Sequence, residues 1–167
     1  MSQIEVATAA YRVFVSEFQS LMLGTVSKNG IPNVSYTPFV IDESKNIYIY
    51  VSGLSTHTQN LYTAPLASVM FIEDELQSQQ IFARRRLTYD CSAALVERDT
   101  ELWNEVLQRY EERFGEIIKT FRDLPDFRIF QLKPNKGKFV IGFGAAYNVS
   151  ASDLDVLTQV TDEEEID

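Results

Sequence analysis

Three apolar segments joined by two tight turns, all between Leu21 and Val51, constrain this chain more than any other feature. Leu21–Ser27 reads as a short strand. Lys28-Asn29-Gly30 reverses the chain, because Asn and Gly tolerate positive φ. Ile31–Ile41 is a long strand. Its Pro32 and Pro38 predict an edge or a bulged path, since proline donates nothing to a β-ladder. Asp42–Asn46 is a second turn. Ile47-Tyr48-Ile49-Tyr50-Val51 is β-branched and aromatic throughout, the strongest strand signal in the sequence.

Around this meander the spacing predicts further elements. Residues 2–19 read as a helix: Ser2 and Glu5 have capping-box spacing, and Ile4, Ala7, Tyr11, Phe14 and Phe18 form one apolar stripe. Ser55–Tyr62 is a short helix ended by Pro65, and Ser68–Glu73 a strand. Ile81–Glu97 is expected as one long or bent strand. On it Arg84, Arg86, Thr88 and Asp90 face one side and Arg85, Leu87, Tyr89 and Cys91 the other. Asp99 or Thr100 caps a helix with an apolar face of Leu102, Trp103, Val106, Leu107, Tyr110 and Phe114, stopped at Gly115. Glu116–Arg122 is a shorter helix. Phe127–Leu132 and Lys138–Phe143 predict a closing hairpin across Pro134–Gly137. Residues 151–159 predict a weak last helix. Many short strands with few helices argue for a mainly β fold, a small antiparallel barrel with helices packed outside. At 167 residues the chain suits one domain, expected over residues 1–150, with a tail at 151–167.

Charge separates that tail from the body. The net charge is −9, but seven acids and no bases lie between Ser150 and Asp167. Residues 1–149 hold seventeen acids against fifteen bases, a balance of −2. Neither part has the basic excess of a nucleic-acid binder. The single cysteine, Cys91, excludes an internal disulfide, and the single histidine, His57, excludes a multi-His metal centre in one subunit. No metal site is expected. No long apolar run or leader pattern stands out, so the expectation is a cytoplasmic protein without a membrane span.

Few residues carry chemistry. In Val51–Leu61 a strand stops, Gly53 turns, and Ser55, Thr56, His57 and Thr58 cluster at a helix start. Helix N-termini present free N–H groups that suit phosphate or carboxylate. Plain N-capping by Ser55 or Thr56 is the competing reading. Arg84 and Arg86 on one face would favour a phosphate or propionate. Ion pairing with Glu73, Asp74 or Glu75 competes with that. Cys91 reads as a small core residue and Trp103 as a packing residue. Asp126, after Leu124-Pro125, is a cap, a turn residue or a site acid. Gly142-Phe143-Gly144 opens like a dinucleotide fingerprint but follows a late strand, so its glycines mark a bulge or a close approach.

Met22–Ser35, Tyr48–Leu61, Ile81–Asp90 and Gly142–Ala145 together resemble the pyridoxamine 5′-phosphate oxidase-like split barrel, an FMN-binding fold. Within it the chain is most similar to the haem-utilisation branch, from about residue 5 to residue 150. The Ala-Arg-x-Arg-Leu-Thr stretch and the late Gly-Phe-Gly are the more specific parts. The resemblance implies a split β-barrel of about six antiparallel strands and a homodimer with cofactor sites at the subunit interface. In flavin-binding members FMN phosphate is held by Ser and basic residues after the third strand, where Ser55, Thr56 and His57 fall here. Those enzymes also supply an Arg at the positions of Asn33–Tyr36, which this chain lacks. In the haem branch a histidine in the C-terminal tail ligates iron, and residues 160–167 carry none. Asp126 matches an acid that tunes that haem site.

Three functional expectations follow. The first is a haem-binding protein with oxidative haem degradation as its implied activity, Arg84 and Arg86 holding propionates, His57 near the pocket, Asp126 assisting, and Gly142 and Gly144 lining the cofactor. The second is an FMN-dependent oxidoreductase with the phosphate at Ser55, Thr56 and His57. The third is a non-catalytic cofactor-binding module.

Overall fold

A computed structural model describes residues 1–160. The strands are β1 (Ser20–Val26), β2 (Pro32–Ile41), β3 (Ile47–Ser52), β4 (Leu66–Ile72), β5 (Arg86–Val96), β6 (Phe127–Gly142), β7 (Ala145–Val149) and β8 (Leu157–Gln159). The helices are α1 (Gln3–Phe14), α2 (Thr56–Thr63), α3 (Glu101–Phe114) and α4 (Ile117–Arg122). The sheet order is β3-β2-β1-β4-β5-β6-β7-β8, and β3 also pairs with β6. That extra pairing closes six antiparallel strands into a barrel, with β7 and β8 added along β6. The expected split barrel is the fold observed. No described helix is long and apolar enough to cross a membrane.

Alternation sets the two cores. Ile47, Ile49 and Val51 point into the barrel, while Tyr48 and Tyr50 pack outside under α3. Both faces of β3 are therefore buried, and its sequence has no polar alternation. α1 is capped as its sequence requires: Ser2 Oγ accepts from Glu5 N, and Glu5 accepts from Ser2 N. It contributes Ala7, Tyr11 and Phe14 to the barrel core, where Tyr11 and Phe14 meet Phe139. α2 adds Leu61 to the same core, and Asn60 Nδ2 donates to Thr25 Oγ1 on β1. Outside, Trp103, Val106, Leu107 and Tyr110 of α3 form the second core with Tyr50 and Ile129. Tyr110 Oη accepts from Tyr50 N and faces the carbonyls of Tyr48 and Pro38, pinning α3 to β2 and β3.

Prolines sit where strands change partners. β2 pairs with β1 as far as Pro38 and with β3 from Phe39 onward, so Pro32–Pro38 is an edge on one side. Three sequence expectations are corrected. Phe127–Gly142 is one strand rather than a hairpin. β6 leaves β3 after Leu132 and joins β7 from Gly137, so Pro134 needs a partner on one side only, β5. The long strand at Ile81–Glu97 is also shorter. Ile81–Ala83 is a 3₁₀ turn whose Phe82 N–H is capped by Gln80, and the strand starts at Arg86. Finally, residues 151–159 end in strand β8 rather than a helix, because Leu157–Gln159 completes the hydrogen bonds of β7. The acidic run at 161–167 lies outside the described residues.

Candidate functional site

The sharp turn after β3 builds the first half of the site. Gly53 N donates to Asp126 O at 2.6 Å, and a Cβ at Gly53 would sit 2.6 Å from that same oxygen. Only glycine permits this approach. Ser52 Oγ donates to Asp126 Oδ2 at 3.0 Å, and Thr58 Oγ1 donates to the Ser52 carbonyl at 2.6 Å. Asp126 is a turn residue that ties the chain before β6 to the start of α2. The sequence could not indicate this partnership, since the two residues are 74 positions apart.

α2 then presents its first turn. Ser55 holds the N-cap position, but its side chain makes no capping bond. Neither the Ser55 hydroxyl nor that of exposed Thr56 has a partner among the described residues, so both are available to a ligand. His57 is half-buried, and its Nδ1 lies 2.8 Å from Ser35 Oγ on β2. Its Nε2 has no hydrogen-bond partner among the described residues. Burial lowers its pKa from the ordinary 6.5, so the ring is neutral at pH 7. A neutral imidazole anchored through one nitrogen leaves the other to accept a proton or bind a metal.

The arginines sit elsewhere and have different fates. Glu73, buried at the end of β4, gathers two of them. Its carboxylate accepts from Arg85 N at 2.7 Å and Arg85 Nε at 2.8 Å. Burial alone would raise its pKa, but these bonds and the charges of Arg85 and Arg84 hold it below the ordinary range. Arg84 spends its guanidinium on the Glu73 carbonyl and lies 3.8 Å from Glu75. It precedes the strand, so it does not share a strand face with Arg86. Arg86 has no carboxylate partner among the described residues and bonds only the Arg84 carbonyl, at 3.0 Å. Gly142 and Gly144 form the β6–β7 hairpin, Gly144 at φ 64° and Gly142 beside a register shift. The bulge reading of these glycines holds.

These groups occupy opposite ends of one barrel. Arg86 begins β5 and pairs with Val140, whereas Val96 ends it and pairs with Ile129, two residues from the start of β6 beside Asp126. Ten steps of strand separate those ends, about 33 Å. The structure thus ties Asp126 to Ser52 and Gly53, immediately before the turn that carries Ser55, Thr56 and His57. It leaves Arg84, Arg86, Gly142 and Gly144 at the far end. Cys91 faces inward, buried, with its thiol pushed up to about 12, a core residue as read.

Known proteins share this frame. The family model described as Pyridoxamine 5′-phosphate oxidase matches residues 7–141. Heme oxygenase HutZ of Vibrio cholerae is 48% identical over 141 residues, 84% of this chain and 80% of that protein. A crystal structure of HutZ, described as the heme storage protein from Vibrio cholerae, has a TM-score of 0.72 at 44% identity. It covers 75% of this chain and 88% of that one. Campylobacter jejuni ChuZ has a TM-score of 0.84 at 33% identity, over 96% of this chain and 64% of that one. By the family match and the extent of the likeness to HutZ, this chain belongs to the pyridoxamine 5′-phosphate oxidase family.

Proposed function

We propose that the protein binds haem and serves haem utilisation, with oxidative haem degradation as its activity. The observation that carries this reading is the likeness to HutZ, which spans four-fifths of both chains. The donor set fits the ligand. Haem is a flat apolar ring with two carboxylates and an iron. Among the described residues, Ser55 and Thr56 offer hydroxyls without a partner at a helix start, Arg86 offers a guanidinium without a carboxylate partner, and His57 offers a neutral ring whose Nε2 has no partner. Asp126 holds the turn that positions α2. When bound, haem supplies the redox centre and the ring to be opened; the protein's own groups bind, orient and shield it. Titration with hemin tests this directly. A saturable Soret shift at one haem per subunit is expected, and a featureless titration at micromolar protein would remove the reading.

Two copies are part of the proposal. A ligand held by both α2 and Arg86 needs the two barrel ends from different subunits, because one subunit keeps them apart. An apolar outer face is available for pairing: Val34 and Tyr36 on β2, Met22 on β1 and Leu66 on β4 are all substantially exposed. Tyr36, Met22 and Met70 are cross-strand neighbours on that face. Monomers rarely leave such contiguous apolar surface in water, and isologous pairing of two copies covers it.

The hydroxyls of Ser55 and Thr56, without partners among the described residues, also favour a second reading, FMN held by its phosphate at α2. Protein that purifies yellow and binds FMN but not hemin would select it.

A further inference from the structure

Two arginines far apart in sequence, Arg98 beyond the end of β5 and Arg128 on β6, converge on one turn. Arg98 Nη2 donates to Pro125 O at 3.3 Å and to Phe127 O at 2.7 Å. Arg128 Nη1 donates to the same two oxygens, at 2.7 Å and 2.9 Å. Nitrogens that share both acceptors in this way are less than about 6 Å apart. Each guanidinium spends one nitrogen on the turn, and its other two make no hydrogen bond among the described residues. The pair sits on the barrel end where α2 begins, since Arg128 is opposite Val51 and Phe127 opposite Ser52 on β3.

No carboxylate among the described residues answers these two charges. Asp126 lies between the shared carbonyls, but its Oδ2 accepts from Ser52. Arg122, close by, takes Glu111 at 3.1 Å. Glu97, Asp99 and Asp123 flank the turn in sequence, are exposed, and pair with neither arginine.

Beside the pair is a buried hydroxyl that lacks a partner. Tyr50 is 7% exposed, and its Oη makes no hydrogen bond among the described residues. Its ring packs edge-on against Trp103, whose face carries Arg98 at 4.7 Å, and against Phe127, whose carbonyl both arginines share. Burial raises the pKa of this hydroxyl, and the charges of Arg98 and Arg122 act against that. Buried hydroxyls are normally satisfied, so an open one marks a place where a polar group belongs.

Like charges held this close repel. A doubly charged oxyanion relieves both, whereas a carboxylate offsets one. A phosphate ester carries close to two charges at neutral pH and three acceptor oxygens. We propose that Arg98 and Arg128 form a phosphate site, filled by a phosphate monoester or by free phosphate, with Tyr50 Oη as the donor behind it. The site is independent of the haem reading, because neither arginine belongs to the donor set assigned there.

Calorimetric titration of the full chain with inorganic phosphate, at an ionic strength held constant with chloride, tests this. One phosphate per subunit is expected, saturating in the micromolar to low-millimolar range. Sulfate, also doubly charged, should displace it, and acetate at the same concentration should not. Arg98→Gln and Arg128→Gln should each weaken phosphate binding about ten-fold. Arg98→Lys keeps the charge without the planar fork and should weaken it less. Arg122→Gln is the control and should change it less than about two-fold, because that guanidinium is committed to Glu111. Should the glutamine variants fold poorly, Tyr50→Phe decides. It loses no hydrogen bond, so its Tm without phosphate should be no lower than that of wild type, while its rise in Tm with phosphate should be smaller. Heat that does not saturate, equal displacement by acetate, or undiminished binding in both glutamine variants overturns the proposal. A ten-fold loss of hemin affinity in those variants with phosphate binding unchanged overturns it too, since the pair would then hold a propionate. Hemin that fails to bind at all sinks the haem reading and leaves the phosphate site standing. FMN that competes with phosphate and needs both arginines supports the site with an ester as its ligand; phosphate binding that FMN does not disturb supports it with the free ion.

Discussion

Tyr89 Oη lies 2.5 Å from Tyr11 Oη inside the barrel, and only one order of donation satisfies both. Tyr11 Oη also lies 2.6 Å from the Leu154 carbonyl, which can only accept. Tyr11 therefore donates to Leu154 and accepts from Tyr89. Burial pushes the Tyr11 hydroxyl up to about 12 and that of Tyr89 higher still, so both stay protonated. The relay links the barrel core, α1 and the segment that leads into β8.

Removing the middle of that relay should cost most. Tyr11→Phe strands the Tyr89 hydroxyl and the Leu154 carbonyl and should destabilise the fold by about 1–3 kcal/mol. Tyr89→Phe leaves Tyr11 still donating to Leu154 and should cost about 0.5–1.5 kcal/mol. The double variant should cost less than the sum, because the two share one hydrogen bond. Urea unfolding of the four proteins measures this; strict additivity would refute the relay.

The contact of Gly53 with Asp126 makes a second expectation. In Gly53→Ala the new methyl meets a backbone oxygen at 2.6 Å, which cannot swing aside. Overpacking of this kind costs about 1–3 kcal/mol, or several degrees in Tm at this size. Gly142→Ala is the control. No atom lies within 4 Å of its added methyl, and its Tm should be nearly unchanged.

The β3 strand and the start of α2 were legible because local chemistry decides them. Ile47–Val51 has no residue that suits a turn, and Gly53-Leu54-Ser55 is a strand exit followed by an N-cap position. The same local logic misread Pro134–Gly137, where turn-forming residues lie inside a strand. There β6 changes neighbours between Leu132 and Gly137, a fact of the closed barrel and not of the segment. It also put Arg84 on a strand face, where the competing reading of ion pairing with Glu73 and Glu75 describes Arg84 and Arg85 better. The grouping of Asp126 with Ser52 needed the fold itself.

Stability should depend on pH through His57. Its folded pKa is below 6.5, so between those values the unfolded chain binds the proton more readily than the folded one. The contribution of His57 is thus complete above about pH 6.5 and is lost as pH falls through the lowered value. His57→Gln should flatten this part of the urea-midpoint profile. An unchanged slope would mean that His57 is not buried as described.

Of the three consecutive arginines, Arg84 and Arg85 lie beside acids while Arg86 has no acidic partner among the described residues, and hemin affinity should reflect that. Arg86→Gln should weaken binding roughly ten-fold, the loss of one charge-assisted hydrogen bond. Arg85→Gln should leave affinity within about two-fold, because this guanidinium is already committed to Glu73 and Glu17. Its effect should fall on Tm through the freed Glu73. The reverse ranking in a Soret titration would move the propionate site to another arginine.

The proposed pairing of two copies can be tested on the apolar face. Tyr36 and Met22 are cross-strand neighbours there, and a charge at either would be desolvated by a partner. Tyr36→Asp or Met22→Lys should therefore shift the mass in light scattering from about twice 19.1 kDa to the monomer value. Their circular dichroism should stay native, because both side chains are exposed in the single chain. The monomers should also lose tight hemin binding, since each retains only half of the donor set at any one site. Monomers that bind hemin as well as wild type would show that α2 alone, or Arg86 alone, suffices, and the two-subunit site would fall.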